Sequence, residues 1–395
     1  MFKKALQLFV TIQLVMALSL PAAFAEEKKA PGSAVDLAPN ATSAVVMDAD
    51  TGTVIFEKNK DAKLPPASIT KIMTMLLVME ALDQGKIKMD DKVRTSEYAA
   101  SMGGSQIFLE PGEEMTVQDM LKGIALASGN DASVAIAEKL GGTEQGFVKM
   151  MNDRSQQLGL KNTQFINPNG LPADNHYSSA MDIAIMSREL LKHEEITKFT
   201  GLYQDYLRKD SPKPFWLVNT NKLVRFYSGA DGLKTGYTSE AKFCLSATAK
   251  RDNFRLITVV MGEPNTKTRN AEVSGLFDYG FSQYTSYSIF KTGDEIGKFK
   301  ISKGEQAVVP FTAKHPYSIL LKKGEAGDGL RHEVQMNSDL KAPIAIGQPI
   351  GKIVIFKGDQ MLSEFPLESS VEVRKAGWWK LMKRTAKHLF FIGDE

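Results

Sequence analysis

The chain has 395 residues, with 49 lysines and arginines against 46 aspartates and glutamates and a formal charge of +3. A composition that is 43% hydrophobic and 24% charged supports two domains with a sizeable core and excludes disorder of the whole chain. The near-balanced charge leaves little net attraction for phosphates, so nucleic acid is not an expected partner.

Met1-Phe2-Lys3-Lys4 gives a basic start, Leu6 to Leu20 is an apolar run, and Pro21-Ala22-Ala23-Phe24-Ala25 closes it with small residues. This pattern predicts a secretory signal peptide over 1–25, cut after Ala25; the run is short for a membrane span. Residues 26–40, with Ala30-Pro31-Gly32-Ser33, read as a loose leader. Cys244 is the only cysteine, so no internal disulfide forms, and its strand-like surroundings predict a buried, inert thiol.

The first of two folded regions is expected over 41–286. Ser43–Met47 and Thr53–Glu57 read as a hairpin around Asp48-Ala49-Asp50-Thr51-Gly52. After Pro65-Pro66-Ala67, residues Ser68 to Leu82 predict a helix that is apolar nearly all round and therefore buried mid-domain. From Thr116 to about Leu190 the pattern is mostly helical, with a capping pattern at Thr116 to Asp119 and a second helix from Asp131 to Leu140. Phe165 to Ser178 is an irregular loop, and Ser179 to Lys192 returns to helix. Leu233–Tyr237, Ala241–Ala249 and Arg255–Met261 then alternate with short polar turns, as an antiparallel sheet requires. A small β domain is expected over 287–373, from short apolar runs punctuated by Lys-Gly.

The tail, 374–395, differs again. Trp378, Leu381, Met382, Leu389 and Ile392 share one helical side, while Lys375, Lys380, Lys383, Arg384 and Lys387 occupy much of the rest. Residues 371–395 carry net +3, so the cationic excess is local. A basic amphipathic helix headed by two tryptophans is expected to lie in the interface of an anionic membrane.

One constellation carries chemistry. In Ser68-Ile69-Thr70-Lys71 the hydroxyl and the amine fall three residues apart on a helix and can meet. Serine becomes a nucleophile when a base takes its proton, and lysine serves once burial or a second cation lowers its pKa. Ser-x-x-Lys recurs at Ser239/Lys242, Ser288/Lys291 and Ser338/Lys341, but there the chain reads as turn or strand, where residues three apart point to opposite faces. Ser128-Gly129-Asn130 follows between two helices, offering a hydroxyl and an amide. Lys234-Thr235-Gly236 lies on a strand, where Lys and Thr suit a carboxylate and Gly admits close approach. A second Lys-Thr-Gly, Lys291–Gly293, falls outside the sheet strands.

The ordered set, in this local context, resembles the signature of the penicillin-recognising serine enzymes. The chain as a whole is similar to the low-molecular-mass penicillin-binding proteins that act as D-alanyl-D-alanine carboxypeptidases (peptidase family S11), and to their sporulation-associated branch. The resemblance implies an α+β transpeptidase-like fold: a five-stranded antiparallel sheet flanked by helices, a helical lobe, a β domain and an amphipathic C-terminal helix. It implies Ser68 as nucleophile, Lys71 as its general base, and Ser128 as proton relay to the leaving D-alanine. Asn130, Lys234, Thr235, Gly236 and Tyr237 would bind substrate, with the backbone N–H groups of Ser68 and Tyr237 forming the oxyanion hole. The expected substrate is the peptidoglycan stem peptide, with β-lactams as covalent inhibitors, no cofactor and no metal. The expected location is the outer face of the cytoplasmic membrane. A β-lactamase, or a non-catalytic protein binding β-lactam or cell wall, are the alternatives. The loop 167–176 has no glutamate and only Asp174 as carboxylate, which favours the peptidase and predicts slow release of penicillin. Gly103-Gly104-Ser105-Gln106 reads as either a cleft border or an ordinary turn, and Asp231-Gly232 as a structural turn. The five histidines are scattered, and those at His193 and His332 read as solvated surface.

Overall fold

The computed structural model describes residues 36–325, 329–338 and 340–390; the expected signal peptide and most of the leader lie outside them. Up to residue 263 the strands are Ser43–Asp48 (β1), Val54–Lys58 (β2), Lys92–Arg94 (β3), Glu114–Thr116 (β4), Gln204–Leu207 (β5), Phe215–Val218 (β6), Ala230–Thr238 (β7), Lys242–Arg251 (β8) and Phe254–Glu263 (β9). The longer helices are Lys71–Asp83 (α1), Val117–Ala127 (α2), Asn130–Gly141 (α3), Glu144–Gln157 (α4), Ala180–Leu191 (α5) and Thr266–Gln283 (α6).

Five strands form an antiparallel sheet in the order β2-β1-β9-β8-β7. All six residues of β1 are buried, which requires cover on both faces and an inner place in the sheet. Side-chain alternation divides the core. Val45, Met47, Val259, Met261 and Cys244 face the helical lobe. Ala44, Val46, Leu245, Ala247 and Val260 face Val273, Leu276, Phe277 and Phe281 of α6. Strand β7, which carries Lys234 to Gly236, is an edge strand, so its outer backbone groups are free to pair with an extended peptide.

The α1 sequence is apolar on every side, and all its residues from Lys71 to Met79 are buried; it forms the centre of the lobe. Its entry departs from the sequence expectation. Ala67–Thr70 is a single 3-10 turn and the α-helix begins only at Lys71. Pro65 and Pro66 donate no N–H to a regular first turn, and Ala67 enters at a positive φ of 48°. Thr116 and Ser179 cap α2 and α5 by accepting from the N–H of Asp119 and Asp182. Helix α6 escaped the sequence reading, although an Asn265 cap and the Val273, Leu276, Phe277, Phe281 spacing mark it. Ala38 is fully buried and Asn40 donates through N and Nδ2 to Glu272, so the chain is already tied down ahead of β1.

After α6 come seven described strands: Tyr284–Phe290 (β10), Glu295–Lys300 (β11), Val308–Thr312 (β12), Tyr317–Lys322 (β13), Leu330–Met336 (β14), Pro349–Lys357 (β15) and Gln360–Glu368 (β16). They pair as β10-β13, β11-β12 and β14-β15-β16 around a separate core that includes Phe311, Ile319, Ile353, Ile355 and Leu367. Trp378–Phe390 (α7) closes the described chain; residues 391–395 of the expected tail lie outside it.

Candidate active site

The 3-10 turn holds Ser68 directly over Lys71, because three residues per turn bring positions i and i+3 into line. Lys71 is 0% exposed, and its Nζ donates to Ser68 Oγ at 3.0 Å, Asn130 Oδ1 at 2.7 Å and the Asn169 carbonyl at 2.6 Å. Burial holds the ammonium well below the usual lysine range, and the positive charge of Lys234 lowers it further. A neutral amine keeps two N–H donors, enough for Asn130 and Asn169. Its lone pair is then left for the Ser68 O–H, which is the arrangement a general base needs.

Two loops fix that geometry. Asn130 N donates to the Ser105 carbonyl and its Nδ2 to the Gly103 carbonyl, both at 2.7 Å, which turns Oδ1 toward Lys71. The Gly103–Gln106 segment therefore borders the site. It is anchored by Asp131, which is buried and accepts from the N–H groups of Ile107, Leu109 and Ala132. The 165–178 loop is clamped to the nucleophile turn from the other side. Thr74 Oγ1 donates to the Pro168 carbonyl, and His176 bridges Ile166 N–H to Thr70 Oγ1. Since His176 Nδ1 accepts from Ile166, Nε2 carries the proton and donates to Thr70. Burial pushes the His176 pKa down to about 4, which keeps the ring neutral. Gly170, at φ +83°, sits so close that a Cβ there would lie 1.9 Å from the Ala67 carbonyl oxygen.

Ser128 occupies the left-handed region at φ 63° between α2 and α3. It is 4% exposed, and its Oγ has no hydrogen-bond partner among the described residues. A buried hydroxyl without a protein partner suits a ligand proton. Lys234 is buried, with its Nζ bonded to the Thr235 carbonyl at 3.0 Å. Burial, reinforced by the nearby Arg269 guanidinium, brings its pKa down to about 7. Thr235 Oγ1 donates to Thr220 Oγ1 at 2.7 Å. Gly236 also answers a packing constraint that its sequence does not show. A Cβ there would meet Pro66 O at 3.0 Å and Ala67 Cβ at 3.2 Å, so glycine lets β7 close on the nucleophile turn. Tyr237 is exposed, its ring stacked on Phe243 at 4.4 Å.

The structure thus brings Ser68, Lys71 and Asn130 into contact and sets Lys234 near enough to act on Lys71 electrostatically. Several positioning residues were missed in the sequence: Asp131, His176, Thr220 and Arg269. Arg269 is buried on α6, 35 positions beyond Lys234, and no local motif marks it. Asp174 stands exposed on the loop. Cys244 is fully buried, and burial raises its thiol to about 11. Lys291–Gly293 lies in the turn after β10. His193 differs from its expected solvated state: it is half-buried and paired with Asp83 at 2.7 Å.

Comparisons with known proteins agree with one another. A family model described as D-alanyl-D-alanine carboxypeptidase matches residues 28–265. One described as penicillin-binding protein 5, C-terminal domain, matches 284–375. The chain is 54% identical over 374 residues to the D-alanyl-D-alanine carboxypeptidase DacF of Bacillus subtilis, covering 95% of this chain and 96% of the relative. It is 35% identical to the DacA carboxypeptidase of Haemophilus influenzae, covering 88% and 89%. The crystal structure of penicillin-binding protein 5 from H. influenzae matches with a TM-score of 0.67 and 34% identity, covering 85% of this chain and 98% of that one.

Proposed function

The chain belongs to the D-alanyl-D-alanine carboxypeptidase family, and from that premise we propose that Ser68 is the nucleophile with which it removes the terminal D-alanine from peptidoglycan pentapeptide stems. The supporting observation is the buried Lys71 amine, 3.0 Å from Ser68 Oγ, with burial holding its pKa well below the usual lysine range. Lys71 takes the Ser68 proton as Oγ attacks the carbonyl of the penultimate D-alanine. The N–H groups of Ser68 and Tyr237 hold the developing oxyanion. Ser128 passes a proton to the departing amine, Asn130 orients the peptide, and Lys234 with Thr235 binds the terminal carboxylate. Water then hydrolyses the acyl-enzyme. Penicillin enters the same course and stalls at the acyl-enzyme. The catalytic domain spans 41–286 and the β domain 287–373, a division favoured by two separate family matches. The 54% identity to the B. subtilis protein favours the sporulation-associated branch. Benzylpenicillin followed by proteolysis and mass spectrometry should place one adduct on the peptide containing Ser68; an unmodified Ser68 peptide excludes this nucleophile.

The protein is exported and rests on the outer face of the membrane through α7. No helix among the described residues is long and apolar enough to cross a bilayer. Trp378 and Trp379 are each 66% exposed and Met382 is exposed beside them. Arg384 ties the helix to the carbonyls of Gly304 and Glu305. Exposed tryptophans on a basic helix suit the headgroup layer. Deleting Ala376 to Glu395 should move the protein from the membrane to the soluble fraction, with D-alanine release from soluble peptides retained. A truncated protein that still sediments with membranes refutes the attachment.

A further inference from the structure

Glu263 ends β9 fully buried, and neither of its carboxyl oxygens accepts a hydrogen bond from a donor among the described residues. An ionised carboxylate left in that state is costly. Its neighbour is another acid: the Glu263 carboxyl lies within hydrogen-bond reach of Glu272 on α6, which is also buried. Glu272 is already engaged as an acceptor. Its Oε1 takes the Asn40 N–H at 3.0 Å and Asn40 Nδ2 at 2.6 Å, and its Oε2 takes the Ala41 N–H at 3.3 Å.

These contacts divide the roles. The N–H donors favour the charged form of Glu272, whereas Glu263 accepts from none and gains by keeping its proton and donating it. Two ionised carboxylates in contact repel, and two protonated ones would offer Asn40 and Ala41 weaker acceptors. One proton between the two acids is the balanced state. The groups around the pair suit a single negative charge. Arg269 faces it from α6 and Lys58 from β2, where Lys58 Nζ also donates to the Ala38 and Pro39 carbonyls. Cys244 of β8 stays a neutral thiol.

We propose that Glu263 and Glu272 form a proton-sharing latch that fastens residues 38–41 to α6 and weakens as rising pH draws that proton off. Burial, reinforced by Glu272, pushes Glu263 from an ordinary 4.5 up to about 8. The unfolded chain gives up this proton near 4.5 and the folded chain only near 8. The latch therefore contributes its full stability below about 4.5 and loses it as pH climbs to about 8. The helix it holds carries Arg269, whose charge acts on Lys234, so the latch also secures one of the positioning groups of the site.

Glu263→Gln tests the latch, because an amide keeps a donor toward Glu272 and does not titrate. Subtracting the wild-type Tm from that of the variant cancels the other titrating groups. From its value at pH 5, this difference should move in the variant's favour by about 2 °C per pH unit up to pH 8, then level off. Hydrogen exchange reads the latch locally. In wild type, protection of the Asn40 and Ala41 amides, corrected for the intrinsic exchange rate, should fall about tenfold or more between pH 6 and 8. In Glu263→Gln it should stay level. The wild-type exchange experiment decides the matter even where the variant fails to fold. A Tm difference that is constant across pH 5 to 8, or wild-type protection of Asn40 and Ala41 that ignores pH, overturns the latch.

Discussion

Lys71→Met should lower the rate of Ser68 acylation, by D-Ala-D-Ala peptide and by benzylpenicillin alike, by about 10³-fold. Methionine nearly matches the volume of lysine but has no lone pair that can take the Ser68 proton. The loss should appear in kcat rather than KM, since Lys71 reaches Ser68, Asn130 and Asn169 and nothing expected to grip the terminal carboxylate. Stability should hold or rise, because the substitution removes a group whose charged form is expensive to bury. A thermal melt alongside stopped-flow acylation separates the two effects. A Lys71→Met protein that acylates within tenfold of wild type would remove Lys71 as the base.

Lys234→Met should cost about 10²-fold or more in kcat/KM on the peptide, and its pH profile is the more discriminating readout. With Lys71 as base and Lys234 as carboxylate grip, activity of the free enzyme should rise with pH as Lys71 loses its proton and fall as Lys234 loses its charge. With Lys234 brought down to about 7, the descending limb of kcat/KM should lie near neutrality. Lys234→Met should abolish that limb. It should also move the ascending limb to higher pH, because the cation that lowers Lys71 is gone. Lys234→Arg, charged throughout, should push the descending limb far into the alkaline range. An ascending limb that stays in place in Lys234→Met would show that the two lysines are not electrostatically coupled.

The parts of the fold that were legible in the sequence rest on local patterning. The apolar run from Ile69 to Met79 has no polar side to present to water, so its helix had to be central. The β-branched runs at 233–261 fall into alternating faces that can only serve a sheet. Ser68 and Lys71 were legible as a pair because their spacing matches one helical turn. The 3-10 geometry was not, since it goes with the positive φ of Ala67 and the close packing of Gly170, which is about 100 positions away. Distance along the chain hid the positioning residues too. Asp131 organises backbone N–H groups more than 20 positions upstream, and His176 is joined to Thr70 across 106. The close packing of Gly236 on Pro66 and Ala67, about 170 positions upstream, had no local signal either. The strand order of the C-terminal β sheets had no sequence signal, because short alternating strands do not name their partners.

The most direct measurement is the release of free D-alanine from a soluble peptide ending in D-Ala-D-Ala, by wild type and by Ser68→Ala side by side. Wild type should release D-alanine, and Ser68→Ala, still folded by circular dichroism, should release none above the uncatalysed rate. Release by Ser68→Ala at the wild-type rate, or none by wild type, would contradict a mechanism in which this hydroxyl, activated by the neutral amine below it, forms the acyl-enzyme.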